Sequence, residues 1–438
     1  MSSEHSDALV IYGVTGDLAF KKIFPALQAM VRRGPFDVPV IGVARSAWSL
    51  DQFRQRVHDS LEKYSGVDSA AFEKLSRLLR YVSVDYTDPA ACRAIHNELK
   101  EARRPAIYLA VPPHLFAPAV EQLANSGCAK EGRIIIEKPF GRDLASARDL
   151  NQVLHKVFDE RSIFRIDHYL GKKPVAEDFG VQGRGGFYDE TGAIRDVVQN
   201  HLFQVISNLA MEPPARNDSE SLRDEKVKVL KAISPIEQDD IVRGQFRGYR
   251  EEKGVAKDSQ TETFAALRLK INSWRWKGVP FYVRAGKSLP VTCTEIVGRF
   301  RKPPTLMPEA ILKENHLRLR LSPEVMIAMG MMTLAPGDRF AVETSEMIAS
   351  SAPRAGEMEA YERLLGAAME GDGTLFARED YVEEAWRIVD PILKKGTPIY
   401  DYDGNTWGPS ETERVTPDGG WHNPIIGPQN LDRSRRAG

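Results

Sequence analysis

Cysteine is scarce in this chain: 438 residues hold three, Cys92, Cys128 and Cys293. They stand far apart, form no Cys-x-x-Cys pair and are odd in number, which argues against a disulfide framework and for a reducing compartment. Charge of one sign is lacking as well. Sixty Lys and Arg face 61 Asp and Glu for a formal charge of −1, so no global field draws the chain to nucleic acid or to an anionic membrane, and any bound anion must be met locally. Long apolar runs are missing too. Ala8–Ile11 is too brief for the apolar core of a secretion signal and no basic segment precedes it; no stretch approaches the ~20 residues of a membrane helix. A cytoplasmic location with neither a nucleic-acid nor a membrane partner is expected. There is no internal repeat and no low-complexity tract.

What the chain does contain is an ordinary globular balance, 42% apolar and 28% charged residues, far from the composition of disorder. Its length exceeds what a single core usually supports, so two domains are expected. In the first third, short apolar runs at Ala8–Tyr12, Val38–Ala44, Tyr81–Val84, Ala106–Val111 and Ile134–Ile136 read as buried strands. Amphipathic segments at Asp51–Tyr64, Pro89–Ala102 and Phe116–Asn125 separate them, which is the grammar of a parallel sheet with helices on both faces. After about Arg165 the rhythm changes. A long helix is expected over Ala193–Leu209, followed by alternating strands at Thr263–Ile271, Phe281–Arg284 and His316–Leu321, which predict an antiparallel sheet. Residues from Tyr400 on, rich in Pro, Gly, Asp and Thr, read as coil.

The first strand runs into Gly13-Val14-Thr15-Gly16-Asp17-Leu18-Ala19. Gly-x-x-Gly-x-x-Ala is not the commoner Gly-x-Gly-x-x-Gly, but glycines here let backbone N–H groups at a helix start approach a pyrophosphate. Gly13, Thr15, Gly16, Asp17 and Leu18 are therefore candidate cofactor contacts in a Rossmann-like unit, although a tight turn without ligand has the same local signature. The second strand ends at Arg45, where an acid would favour NAD by holding the ribose 2′-hydroxyl; a guanidinium suits a 2′-phosphate and so NADP. A solvated Arg at a strand end is the plain alternative.

Farther along stand Tyr108-Leu109-Ala110-Val111-Pro112-Pro113, then Glu137-Lys138-Pro139-Phe140-Gly141-Arg142-Asp143-Leu144, then Arg165-Ile166-Asp167-His168-Tyr169-Leu170-Gly171-Lys172. In this order they resemble the signatures of the glucose-6-phosphate dehydrogenase family, the Asp-His-Tyr-Leu-Gly-Lys run being the most specific. The likeness continues through Gly185–Leu202, Arg223–Leu230, Val279–Lys287 and Met331–Gly337 to Trp421-His422-Asn423-Pro424. It implies a Rossmann-like α/β NADP-binding domain over residues 1–165. An α+β domain with a large, mainly antiparallel sheet would follow over 166–438, binding substrate and forming a homodimer or a dimer of dimers. The activity implied is oxidation of glucose 6-phosphate to 6-phosphoglucono-1,5-lactone with hydride transfer to NADP, the entry step of the pentose phosphate route.

That chemistry needs a base of near-neutral pKa for the C1 hydroxyl proton, and histidine suits it. At helical spacing Ile194, Val197, Val198, His201 and Leu202 share one stripe, so His201 faces inward, as a core histidine also would. By resemblance His201 is the base and Asp167 the carboxylate that fixes its tautomer, which requires the two to touch. By resemblance again, His168, Tyr169 and Lys172 hold the substrate phosphate, and Lys138 and Lys287 contact substrate. Glu177 and Asp196 accept from sugar hydroxyls, and Tyr108 and Lys138 border the cofactor. Pro139 lies in a turn where a cis bond is admissible. No metal is called for. The family usually has roughly thirty more residues between Val175 and Ala176, enough for a helix and a strand; Thr292 and Ser322 replace a basic residue and a Gln seen in members. A shortened chain leaves two alternatives open: a silent cofactor-binding relative, and another NAD(P)-linked sugar dehydrogenase.

Overall fold

The structure, a computed structural model, describes residues 5–34, 36–86, 88–126, 131–167, 181, 183–302, 314–334, 342–351 and 356–425. Six strands, β1 (Ala8–Tyr12), β2 (Val40–Ala44), β3 (Leu79–Ser83), β4 (Pro105–Leu109), β5 (Arg133–Glu137) and β6 (Ile163–Ile166), alternate with helices α1 (Phe24–Arg33), α2 (Leu50–Tyr64), α3 (Ser69–Leu78), α4 (Pro89–Leu99), α5 (Phe116–Ser126) and α6 (Leu144–His155). All neighbouring strands of this set pair in parallel, in the order β6-β5-β4-β1-β2-β3. The order reverses between β1 and β4, and at such a switch point open α/β sheets bind ligands beyond the strand C-termini. Alternate residues serve opposite faces: Val10, Tyr12, Ile41 and Val43 join one core, Leu9, Ile11 and Val40 the other. Capping boxes start α2 at Ser49 and α6 at Asp143, satisfying N–H groups that helix geometry leaves open.

The second half begins with α7 (Gly185–Ala193), a π-helix over Ile194–Leu202, α8 (Phe203–Ala210) and α9 (Ser219–Ala232). The strands then follow: β7 (Ile241–Phe246), β8 (Phe264–Lys270), β9 (Pro280–Gly286), β10 (Thr294–Arg299), β11 (His316–Ser322), β12 (Val325–Leu334) and β13 (Val342–Ser351). The expected sheet is antiparallel apart from one edge. Among the described residues it lies in two four-stranded pieces: one joins β9, β8 and β7 to β15 (Ile399–Tyr402), and the other runs β10-β11-β12-β13. The edge pair β15–β7 is parallel.

The coil expected from Tyr400 onward begins instead as part of β15. Tyr402 is buried, packs edge-on against Phe246 and sends its hydroxyl to Lys287 O at 2.6 Å; burial of one aromatic outweighs the loop-like composition around it. Two later segments return to the first sheet. α10 (Ala360–Glu370) sets Leu364, Leu365 and Ala368 into the core shared with Leu9 and Ile135. The two-residue β14 (Phe376–Ala377) pairs antiparallel with β6, and α11 (Glu379–Lys395) ties to the front of α6 when Trp386 Nε1 donates to Phe140 O at 2.9 Å.

Candidate active site

The glycine turn sits at the switch point. Gly13 has φ +75°, and a Cβ there would collide with the Ala110 carbonyl beyond β4, so only glycine keeps β1 this close to β4. Gly13 N donates to Val43 O and Gly16 N to Gly13 O, both at 2.9 Å. The chain then enters a helical run at Ala19 that continues into α1, with Leu18 as its cap and Asp17 exposed and paired to Lys21 at 2.8 Å. The open backbone and helix start fit a pyrophosphate. Arg45, just past β2, is half exposed, lies 5.6 Å from the Tyr86 ring centroid and reaches Asp85 Oδ1 at 3.2 Å.

Two neighbouring strand ends carry the chemical groups. Glu137 pairs with Ile166 in the β5–β6 ladder, so Lys138 and Asp167, each one residue farther, emerge side by side. The π-helix supplies their partners. Its entry is anchored where Ala193 N and Ile194 N donate to Glu262 O and Oε1 at 2.9 and 3.1 Å, and Arg243 of β7 holds the same carboxylate at 2.7 Å. The long helix expected over 193–209 therefore begins with wider turns. Residues five apart share a face in π geometry, which brings Asp196 beside His201, a juxtaposition that a 3.6-residue period misses.

His201 Nδ1 lies 2.5 Å from Asp167 Oδ1, and the two are 7% and 4% exposed. Lys138 Nζ lies 3.1 Å from His201 Nε2 while donating to Asp196 Oδ1 and O at 3.0 and 2.9 Å. A carboxylate only accepts and an ammonium only donates. These partners assign the proton to Nδ1 and leave the Nε2 lone pair outward, the tautomer a base needs. Burial lowers the His201 pKa against the pull of Asp167, which favours the neutral ring. Burial raises the Asp196 carboxyl, but Lys138, Lys287 and His201 more than offset it, and its pKa falls below the usual range. Lys287, lowered by burial, follows β9 and stands 5.3 Å from the Tyr188 ring centroid.

Of the residues singled out in the sequence, Lys138, Asp167, Asp196 and His201 thus form one bonded cluster, and Lys287 acts electrostatically on Asp196. The Lys138–Pro139 bond is cis. Tyr108 is fully buried, its hydroxyl donating to Glu137 Oε1 at 2.5 Å. His168, Tyr169, Lys172 and Glu177, with the junction after Val175, lie outside the described residues. The sequence reading passed over Glu137 itself. Burial raises its pKa, and Tyr361 of α10 also donates to it at 3.0 Å; an acid directly after the apolar run Ile134–Ile136 was the available signal.

A doubly wound sheet with a pyrophosphate-ready turn and an oriented imidazole at its strand ends belongs to the class of dinucleotide-linked oxidoreductases. Residues 10–177 match the family model for the glucose-6-phosphate dehydrogenase NAD binding domain, and residues 145–422 that for its C-terminal domain. The chain is 41% identical, over an alignment 469 positions long, to glucose-6-phosphate 1-dehydrogenase 1 of Mycobacterium tuberculosis, with 98% of each chain covered. The crystal structure of glucose-6-phosphate 1-dehydrogenase from Mycobacterium avium superposes with a TM-score of 0.90 at 40% identity, over 97% of this chain and 100% of that one. A glucose-6-phosphate dehydrogenase in complex with its substrate glucose-6-phosphate gives 0.86 at 34% identity over the same shares. The chain belongs to the glucose-6-phosphate dehydrogenase family.

Proposed function

We propose that this chain oxidises the C1 hydroxyl of glucose 6-phosphate to 6-phosphoglucono-1,5-lactone, with NADP as acceptor, the first step of the pentose phosphate route. The observation that carries the reading is the His201 ring, held by Asp167 at Nδ1 with its Nε2 lone pair directed at Lys138. In the reaction the C1 hydroxyl takes the place of Lys138 at Nε2 and gives up its proton there, while the C1–H bond breaks and C1–O becomes a carbonyl. NADP, when bound, receives the hydride. Asp167 stabilises the imidazolium so formed, and Asp196 and Lys287 orient the sugar, joined by Glu177. Lys138 shifts from His201 towards the sugar and the nicotinamide. His168, Tyr169 and Lys172 hold the phosphate. Gly13, Thr15, Gly16, Asp17 and Leu18 bring backbone to the pyrophosphate, the Tyr108 strand end walls the same crevice, and Arg45 meets the 2′-phosphate.

Residues 1–165 hold the dinucleotide in this reading and 166–438 the sugar. Val325, Ile327 and Met329 of β12 and Met347 of β13 are 55%, 54%, 40% and 63% exposed on one face of the outer sheet, and a patch of this kind marks an interface. Our reading puts a second copy of the chain against this face. None of the described helices is long and apolar enough to cross a membrane, and the reading sets the enzyme in the cytoplasm.

Replacing His201 with Asn is expected to cut kcat by roughly 10²–10⁴ with glucose 6-phosphate KM little changed. NADPH formation followed at 340 nm, alongside nucleotide titration, checks it. Near-normal turnover in the variant removes the base assignment; nucleotide binding without turnover in the unsubstituted chain favours a silent relative.

A further inference from the structure

The turn that carries Lys138 is held on both sides. Beyond it, Trp386 Nε1 of α11 donates to Phe140 O at 2.9 Å and Arg195 Nε of the π-helix donates to Arg142 O at 3.0 Å. Between those two carbonyls Gly141, at φ +87°, packs so closely that a Cβ would stand 2.6 Å from Ala147 N. Before the turn the anchor is Glu137. Its Oε1 accepts from Tyr108 Oη at 2.5 Å and from Tyr361 Oη at 3.0 Å. Burial pushes both phenols above their ordinary range, so both stay protonated and remain donors. Hydrogen bonds from two directions to one charged oxygen fix where that oxygen sits.

The two phenols reach this carboxylate from different parts of the chain. Tyr108 belongs to β4, the ladder neighbour of β5, whereas Tyr361 follows Glu137 by 224 residues and stands in the first turn of α10. The start of α10 is itself tied down, because Glu362 pairs with Arg33 of α1 at 2.6 Å and Leu364 and Leu365 lie in the core beneath. Strand alternation divides the work at the end of β5. Ile135, and with it Glu137, faces the core that α1 and α10 cover. Ile134 and Ile136 face the other core, which Ile194 and Val198 of the π-helix join, and on that side Lys138 Nζ meets Asp196 Oδ1 at 3.0 Å and His201 Nε2 at 3.1 Å. The strand end is thus gripped on one face and presents its ammonium on the other. A tilt at Glu137, which the phenols oppose, carries Lys138 out of hydrogen-bond distance.

We infer that Tyr361 is a positioning residue for Lys138: together with Tyr108 it holds the Glu137 carboxylate and so sets where the end of β5 delivers the ammonium that faces His201. The inference rests on the reading of Lys138 as a contact to the sugar and the nicotinamide. Tyr361 touches neither of them in that reading and acts through Glu137. A small misplacement of a group at the reacting carbon costs rate more than affinity, because the phosphate and the remaining hydroxyls keep their own contacts.

Tyr361→Phe removes one hydroxyl and no carbon, so the packing of α10 is kept. It is expected to lower kcat roughly tenfold, with KM for glucose 6-phosphate within about twofold and the urea midpoint nearly unchanged. Glu137→Gln keeps an oxygen that accepts from both phenols and should retain kcat within about threefold, whereas Glu137→Met, which has none, should lose roughly as much as Tyr361→Phe. The sharpest measurement uses a Lys138→Met background, since effects that pass through one residue do not add: there Tyr361→Phe should change the residual kcat by less than about twofold. A normal kcat in Tyr361→Phe, or a further loss of about tenfold in the Lys138→Met background, overturns the inference and leaves the reading of the site intact. If Tyr361→Phe does not fold, Gln and Met at position 137 decide, and equal kcat in those two overturns it. Full turnover in Lys138→Met alone defeats the reading of Lys138, and the role of Tyr361 falls with it.

Discussion

In the seven-stranded sheet β1, β2 and β4 are buried at every residue, whereas β13 of the outer sheet is exposed from Glu343 to Ser351 and β12 alternates between buried Met326 and Ala328 and exposed Val325 and Ile327. The first sheet carries helices on both faces and the second has one face uncovered. Covered strands are written as unbroken apolar runs, Ala-Leu-Val-Ile-Tyr in β1; half-covered strands take any residue the solvent or a partner tolerates on the outer side. The difference also places the chemistry. The packed strands β5 and β6 lead directly into Lys138 and Asp167, and the outer sheet carries none of the bonded cluster.

Substitution in the covered sheet should have the largest effect on folding. Ile135, fully buried between Tyr108 and Phe164 in the ladder, is expected to cost about 2–5 kcal/mol when replaced by Ala, read as a lowered urea midpoint with an unchanged slope. A loss under 1 kcal/mol would show that this core relaxes around the cavity, and the contrast with the outer sheet would weaken.

Arg45 tests a side chain at the rim of the covered sheet. Its pairing with exposed Asp85 contributes little to stability, so Arg45→Ala should leave the urea midpoint nearly unchanged. If the guanidinium meets the 2′-phosphate, KM for NADP should rise roughly tenfold, the equivalent of about 1.4 kcal/mol, while any activity with NAD stays level. Equal changes with both nucleotides would remove Arg45 from cofactor selection.

The same contrast explains what was legible in the sequence. Five strands of the first sheet, their parallel arrangement and the turn follow from continuous runs and glycine spacing, whereas the strand order and the short β6 come from the structure. Of the outer sheet, β11 was visible through its Leu/Arg alternation, but β13, Val-Glu-Thr-Ser-Glu-Met-Ile-Ala-Ser-Ser, gives no inward pattern because little of it is buried. The pair His201–Asp167 was named through the family signatures; no periodicity joins residues 34 apart. Asp196 shows a different limit, since a helical period of 3.6 cannot anticipate π turns. Lys226 stands near Lys228 and Lys231 on one helix, where only packing distinguishes the buried lysine from the two exposed ones.

The smallest folding effect belongs to the open face. Ile327 is 54% exposed and faces Ala349 across the β12–β13 pair; Ile327→Lys removes little buried area from a single subunit, so its stability at low protein concentration should stay within about 0.5 kcal/mol. Association is a separate matter. An apolar patch closed by a two-fold copy brings Ile327 of each subunit into a dehydrated centre, where a lysine must be desolvated without a partner. Sedimentation equilibrium should then show the substituted 49.0 kDa chain dissociating at concentrations at least tenfold higher than the unsubstituted one. If both variants carry the same mass at every concentration, the partner copy does not sit on β12 and β13, and the exposed methionines and isoleucines of this sheet must be covered by something other than a second copy.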